Sequence, residues 1–167
     1  MAQTKLGDYI ANTIGDLPAI GTTAPSFVLT GIDLRTVKSE SFAGKHIVLN
    51  IFPSVDTSTC STSVREFNKR IAAFPNAVVL CISKDLPFAM KRFCGVEGIA
   101  NVISLSDFRS LGFGKSYGVD LIDGGFRGLF ARAVVVIDPL GMVKYTQLVA
   151  QIDHEPDYES ALQALQN

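Results

Sequence analysis

Three cysteines hold the thiol chemistry open to this chain of 167 residues: Cys60, Cys81 and Cys94. An odd and small number of cysteines argues against a disulfide framework in a chain of this length. With only His46 and His154, and no Cys-x-x-Cys pair, a zinc site has little raw material. A single cysteine is most often a small buried hydrophobe, so a chemical role has to come from its surroundings. Those of Cys60 are distinctive. It closes the loop Pro53-Ser54-Val55-Asp56-Thr57-Ser58-Thr59, in which Asp56, Thr57 and Ser58 are each able to cap a helix. Beyond it Val64, Phe67, Ile71 and Phe74 recur at helical spacing. Cys60 is therefore expected in or near the first turn of a helix, where free N–H groups and the macrodipole favour an anion. The anion in question is the thiolate, the form of cysteine that acts as a nucleophile.

A helix terminus alone does not make a fast nucleophile. Bringing a thiol from about 8.5 to about 6 requires about 3.4 kcal/mol of differential stabilisation. A helix N-terminus supplies about 0.3–2 kcal/mol, so roughly half must come from other donors or a cation. The leaving atom of the electrophile also needs fixed donors. Spacing by itself leaves a second reading of Cys60 open, because it lies on the apolar stripe of its helix. Cys81 stands among Val79, Leu80 and Ile82 and reads as a structural strand residue. Cys94 falls at a helix end, where a packing role and a chemical role are both open.

The elements that must position these residues follow from periodicity. The apolar run His46–Phe52, ended by Pro53, reads as a buried strand, and Ala77–Ile82 as a second. Leu86–Phe93 reads as a short helix, with Pro87 early and Gly95 just past its end. Asn101–Leu105 is a weaker strand, and Ala133–Ile137 is the strongest in the chain. Asp138-Pro139-Leu140-Gly141 turns into a returning strand, Met142–Val149. Asp157–Gln166 reads as a closing helix. Crossover helices imply parallel strands, and the late hairpin adds antiparallel ones. The expected fold is α/β and thioredoxin-like, with a mixed central sheet flanked by helices and an N-terminal extension, a β-hairpin over Leu6–Ile20.

Composition sets the outer bounds. The length suits a single domain over 1–167, able to bury about two thirds of its unfolded surface. With 47% hydrophobic and 19% charged residues the chain is of the globular class. A net charge of −1 gives no basic face for nucleic acid or an anionic membrane. The first residues show no signal-peptide pattern and no segment is long and apolar enough to span a bilayer. A cytoplasmic protein is expected.

The triplet Pro53-x-x-x-Thr57-x-x-Cys60 resembles the active-site motif of the peroxiredoxins at all three positions. The wider resemblance is to bacterial thiol peroxidases, the atypical two-cysteine group. It runs through Asn50–Ser54, Val78–Ser83, Asp85–Ala89, Arg92–Gly95, Ala131–Asp138 and Glu155–Tyr158, from about residue 25 onward. It implies a peroxidatic Cys60, a resolving Cys94 and one intramolecular Cys60–Cys94 disulfide in the oxidised enzyme. Thr57 would hydrogen-bond the thiolate and the peroxide oxygen, Pro53 would shield the site, and Arg132 would supply the missing cation. On sequence alone Arg132 also reads as a solvated charge at a strand end. The resemblance further implies a hydroperoxide substrate, thioredoxin as external reductant, no metal or bound cofactor, and a homodimer.

Other features point nowhere. Gly112-Phe113-Gly114-Lys115-Ser116 is similar to the tail of a phosphate-binding loop, but Arg109 stands where the leading glycine belongs. His46 and His154 read as structural or solvated. Two rival functions share the cysteines: a non-catalytic redox sensor, and a disulfide oxidoreductase, which the missing Cys-x-x-Cys disfavours.

Overall fold

The computed structural model describes residues 1–166. Its centre is a seven-stranded mixed sheet built on two strands that are apolar on both faces. These are β5 (His46–Ile51) and β8 (Ala133–Ile137), which pair antiparallel. Parallel to β5 runs β6 (Ala77–Ser83), and parallel to β6 runs β7 (Ile103–Ser106). On the far side β9 (Val143–Leu148) completes the hairpin with β8. A further hairpin, β3 (Val28–Gly31) and β4 (Thr36–Lys38), joins the β7 edge, giving the order β4-β3-β7-β6-β5-β8-β9. This is the thioredoxin-like arrangement that the alternation of apolar runs and helices implies.

The pleat sorts side chains to the two faces. Leu49, Ile51, Leu80, Ile82 and Val135 meet Phe27, Leu29, Phe113, Tyr117 and Phe130 on one face. On the other, Val48, Val79, Cys81, Val134 and Val136 lie under α1 (Ser58–Arg70) and α4 (Tyr158–Gln163). The stripe Cys60-Val64-Phe67 of α1 is fully inserted there, with Phe67 edge-on to Tyr158 at 5.1 Å. Helix α2 (Pro87–Glu97) lies beside α1 on the same face but buries only Pro87 and Met90.

Two expectations need correction, and two short elements carry no clear sequence signal. The N-terminal hairpin lies earlier than Leu6–Ile20. It is β1 (Gln3–Leu6) and β2 (Tyr9–Asn12), turned at Gly7 with φ 60°. Helix α2 does not stop before Gly95. It runs through that glycine to Glu97 and ends at Gly98, whose φ of 66° lets the N–H groups of Gly98 and Ile99 reach the Cys94 carbonyl. The β3–β4 hairpin carries too short and too polar a pattern to register as strands. So does α3 (Phe113–Tyr117), inside the long connection before β8. Gly114 of α3 is glycine for a packing reason: the Asp120 carboxylate occupies the place a Cβ would take. With Phe113 and Gly114 buried, that stretch faces the core and is no phosphate cradle.

Candidate active site

The site forms where β5 ends and α1 begins. After Phe52 and the buried Pro53, the chain turns through Ser54–Asp56 and enters α1 at Thr57, the N-cap, in an extended conformation (φ −96°, ψ 144°). Cys60 is the third helical residue. The first intrahelical bond is Ser61 N–H to the Thr57 carbonyl at 3.0 Å. The N–H groups of residues 58–60 therefore belong to the unpaired set that polarises a helix N-terminus. The Cys60 side chain is fully buried, and Ser63 Oγ donates to its carbonyl at 2.7 Å.

Arg132 completes the pocket from the start of β8, 1% exposed. Its Nε donates to the Ile152 carbonyl at 2.7 Å and its Nη2 reaches Cys60 Sγ at 3.1 Å. Nη1 is buried with no hydrogen-bond partner among the described residues. None of the ion pairs formed by the described residues includes Arg132. A buried guanidinium without a carboxylate is costly unless an anion faces it. The sulfur of Cys60 is the group placed to be that anion. Arg132 is not the solvated strand-end charge that sequence alone leaves open.

The segment that holds Arg132 is itself tied down. Thr59 Oγ1 donates to the Asp153 carbonyl at 2.9 Å, while Lys5 N–H and Ile152 N–H bracket the segment against β1. Thr4, buried in β1, donates to the Val149 carbonyl at 2.7 Å. The hairpin thus braces the carbonyl that orients the guanidinium.

Thr57 departs from expectation in one contact. Its hydroxyl donates to the Ser54 carbonyl at 3.2 Å, not to Cys60 Sγ, and makes no side-chain cap bond. The expected bond to Cys60 Sγ is absent in this structure.

Cys94 is not in the pocket. It is half-buried in the last turn of α2, with its Sγ 3.5 Å from Ser104 Oγ, and all three cysteines are free thiols. Cys81 lies mid-sheet, where Asn50 Nδ2 donates to it at 3.7 Å. Burial pushes its thiol up to about 12, which keeps it protonated and inert. That matches its reading as a structural residue. His154 is exposed beside Asp153, and His46 opens β5 with a buried Nδ1.

Sequence spacing missed the polar residues that hold the loop. Asp85 accepts hydrogen bonds from Ser54 Oγ at 2.7 Å, Val55 N–H at 2.9 Å and Ser83 Oγ at 2.5 Å. An aspartate just before Leu86-Pro87 reads as a helix cap. In fact Leu86 is the N-cap, without a side-chain bond, and the carboxylate turns back to the loop.

Known proteins resemble this chain over nearly its whole length. The Redoxin family model matches residues 19–162. A thiol peroxidase of Mycobacterium tuberculosis is 57% identical over 165 residues, 99% of each chain. One of Corynebacterium glutamicum is 51% identical over the same share. The crystal structure of a peroxiredoxin-like protein from Aquifex aeolicus superposes with a TM-score of 0.93 at 35% identity. It covers 99% of this chain and 96% of that one.

Proposed function

The chain belongs to the Redoxin family as a thiol peroxidase of the peroxiredoxin kind, and from that premise we propose which of its residues carry the reaction. Cys60 is the peroxidatic nucleophile. Its thiolate attacks one oxygen of the hydroperoxide, forming an S–O bond as the O–O bond breaks. The departing oxygen takes a proton and leaves as water or an alcohol, and Cys60 becomes a sulfenic acid. The thiolate's two electrons go to the peroxide. The observation that carries this reading is the buried Arg132 guanidinium, 3.1 Å from Cys60 Sγ and, among the described residues, without a carboxylate partner.

The free Nη1 of Arg132 is the fixed donor available to the peroxide oxygens. The Thr57 hydroxyl, which donates to the Ser54 carbonyl at the N-cap, is the second donor once it turns from that carbonyl to the peroxide. Pro53 is a buried wall that keeps bulk water from the sulfur. Cys94 then attacks the sulfenic sulfur, water leaves, and the Cys60–Cys94 disulfide forms. An external dithiol of the thioredoxin type returns both cysteines to thiols by exchange. No prosthetic group enters these steps. A homodimer and a cytoplasmic location complete the proposal on family grounds.

A coupled assay tests it: catalytic protein with thioredoxin, its reductase, NADPH and a panel of hydroperoxides. Sustained NADPH oxidation is expected. A single stoichiometric oxidation without turnover would favour a redox sensor instead.

A further inference from the structure

Asp85 stands where β6 leaves the sheet, and its own backbone is fixed there. Its N–H donates to Ser83 Oγ at 3.2 Å and its carbonyl accepts from Ser106 Oγ. From this anchored position the carboxylate reaches across to the loop that carries Cys60, taking Ser54 Oγ on one oxygen and Val55 N–H on the other. Ser54 passes the constraint on. Its Oγ accepts from Asp56 N–H at 3.1 Å, and its carbonyl accepts both the N–H and the hydroxyl of Thr57 at 3.2 Å. The neighbouring Lys84 is engaged elsewhere, 2.7 Å from Asp120. The Asp85 charge is thus balanced by loop and strand hydrogen bonds rather than by a cation.

Resting on the peroxidase reading above, we propose that Asp85 is a positioning residue: a latch that holds residues 53–57 in the shape Cys60 needs to meet peroxide. The same residue precedes the N-cap of α2, the helix of Cys94. Peroxide attack needs the latch closed. Cys60 Sγ faces Arg132 and Cys94 Sγ faces Ser104, so disulfide closure needs both sulfurs to leave their present partners and gains nothing from the latch. Loss of the latch therefore slows the first half-reaction without slowing the second, which loss of a merely structural residue does not.

The test uses Asp85→Ala, Asp85→Asn and the unmodified protein. Because the chain has no tryptophan, the steps are followed by rapid quench with thiol blocking and mass spectrometry. For Asp85→Ala, oxidation of Cys60 by hydrogen peroxide is expected to slow about 10- to 100-fold, the cost of a misplaced reacting group. Alkylation of Cys60 by iodoacetamide, which needs no peroxide geometry, should change less than about threefold. Condensation with Cys94 should be as fast or faster. Asp85→Asn keeps an acceptor for Val55 N–H and should recover part of the oxidation rate, so it also decides the matter if the alanine variant fails to fold. Oxidation within about twofold of the unmodified protein in the folded variants overturns the latch. Parallel loss of oxidation, alkylation and condensation overturns it too, leaving Asp85 a stability residue. Unmodified protein that reacts with peroxide no faster than free cysteine overturns the peroxidase reading itself.

Discussion

Cys60 and Cys94 both sit near helix ends on one face of the sheet, yet the two helices are held in opposite ways. Helix α1 inserts Cys60, Ser63, Val64 and Phe67 into the core, and its first turn is pinned by the Asp153 carbonyl and the Asp85–Ser54 bonds. Helix α2 buries little, and Phe88 and Val96 are 65% and 80% exposed. Apart from half-buried Phe93, its ties to α1 and the loop before it are polar and at the surface. Arg65 grips Glu97 with two bonds of 2.9 and 3.0 Å, and Arg92 meets Asp56 at 3.2 Å. Such pairs contribute little in water, whereas burial of an apolar stripe contributes much. The difference suits a two-step reaction. The first step needs a rigid pocket with a fixed cation, and the second needs a thiol that can travel, and locally weak elements open at least cost.

The largest effects should come from removing the thiols, because each disables a different step. Cys60→Ser is expected to abolish peroxide reduction. Cys94→Ser should leave a single fast oxidation of Cys60 and no thioredoxin-linked turnover. Both are read by NADPH consumption and by mass spectrometry of the trapped sulfenic acid. Fast peroxide reduction by Cys60→Ser would place the nucleophile at another residue.

Arg132→Lys comes next. A flexible ammonium cannot hold the Ile152 carbonyl, the sulfur and a peroxide oxygen at once, as the planar fork can. The peroxide rate should fall by about 10- to 100-fold, more than any change in thiolate fraction accounts for. Titrating the thiol and measuring the rate on the same variant checks this. Losses that match would show Arg132 acting on ionisation alone.

Arg65→Ala probes the looser region, and should speed disulfide closure less than about threefold without slowing Cys60 oxidation. Arg65 holds the Glu97 carboxyl below the usual carboxylate range by its hydrogen bond. The tie is therefore present in full above that range and is lost as pH falls through the lowered value. Closure in the unmodified protein should accelerate toward acid pH once thiolate fraction is corrected for, and the variant should lose this dependence. The smallest effect belongs to Cys81→Ser, which should keep most activity. A thiol raised to about 12 by burial stays unalkylated at pH 8 in the folded protein. A well-folded Cys81→Ser that cannot turn over would contradict its structural role.

How much of this was legible in sequence depends on whether each feature is local. β5 and β8 read cleanly because they are apolar on both faces, and α1 because Val64, Phe67 and Ile71 keep helical period. The hairpin β3–β4 is short and half exposed, so its alternation is too brief to see. The end of α2 was misplaced because Gly95 and Gly98 offer the same sequence signal, and only the left-handed backbone at Gly98 decides between them. In the site, Pro53, Thr57 and Cys60 are legible as a contiguous loop before a helix. The approach of Arg132 to Cys60 rested on family resemblance. The Asp85 latch was not legible, since it joins the ends of two strands that become neighbours only when β5 and β6 pair.

Amide hydrogen exchange on fully reduced and fully oxidised protein reads out whether a firmly held pocket stands beside a helix built to open. Oxidation should lower protection most across residues 87–97, less across residues 57–64 at the start of α1, and leave β5, β6, β8 and the rest of α1 unchanged. Equal protection of both segments in the two redox states would mean that the disulfide forms without either helix leaving its place, and that α2 is not built to open.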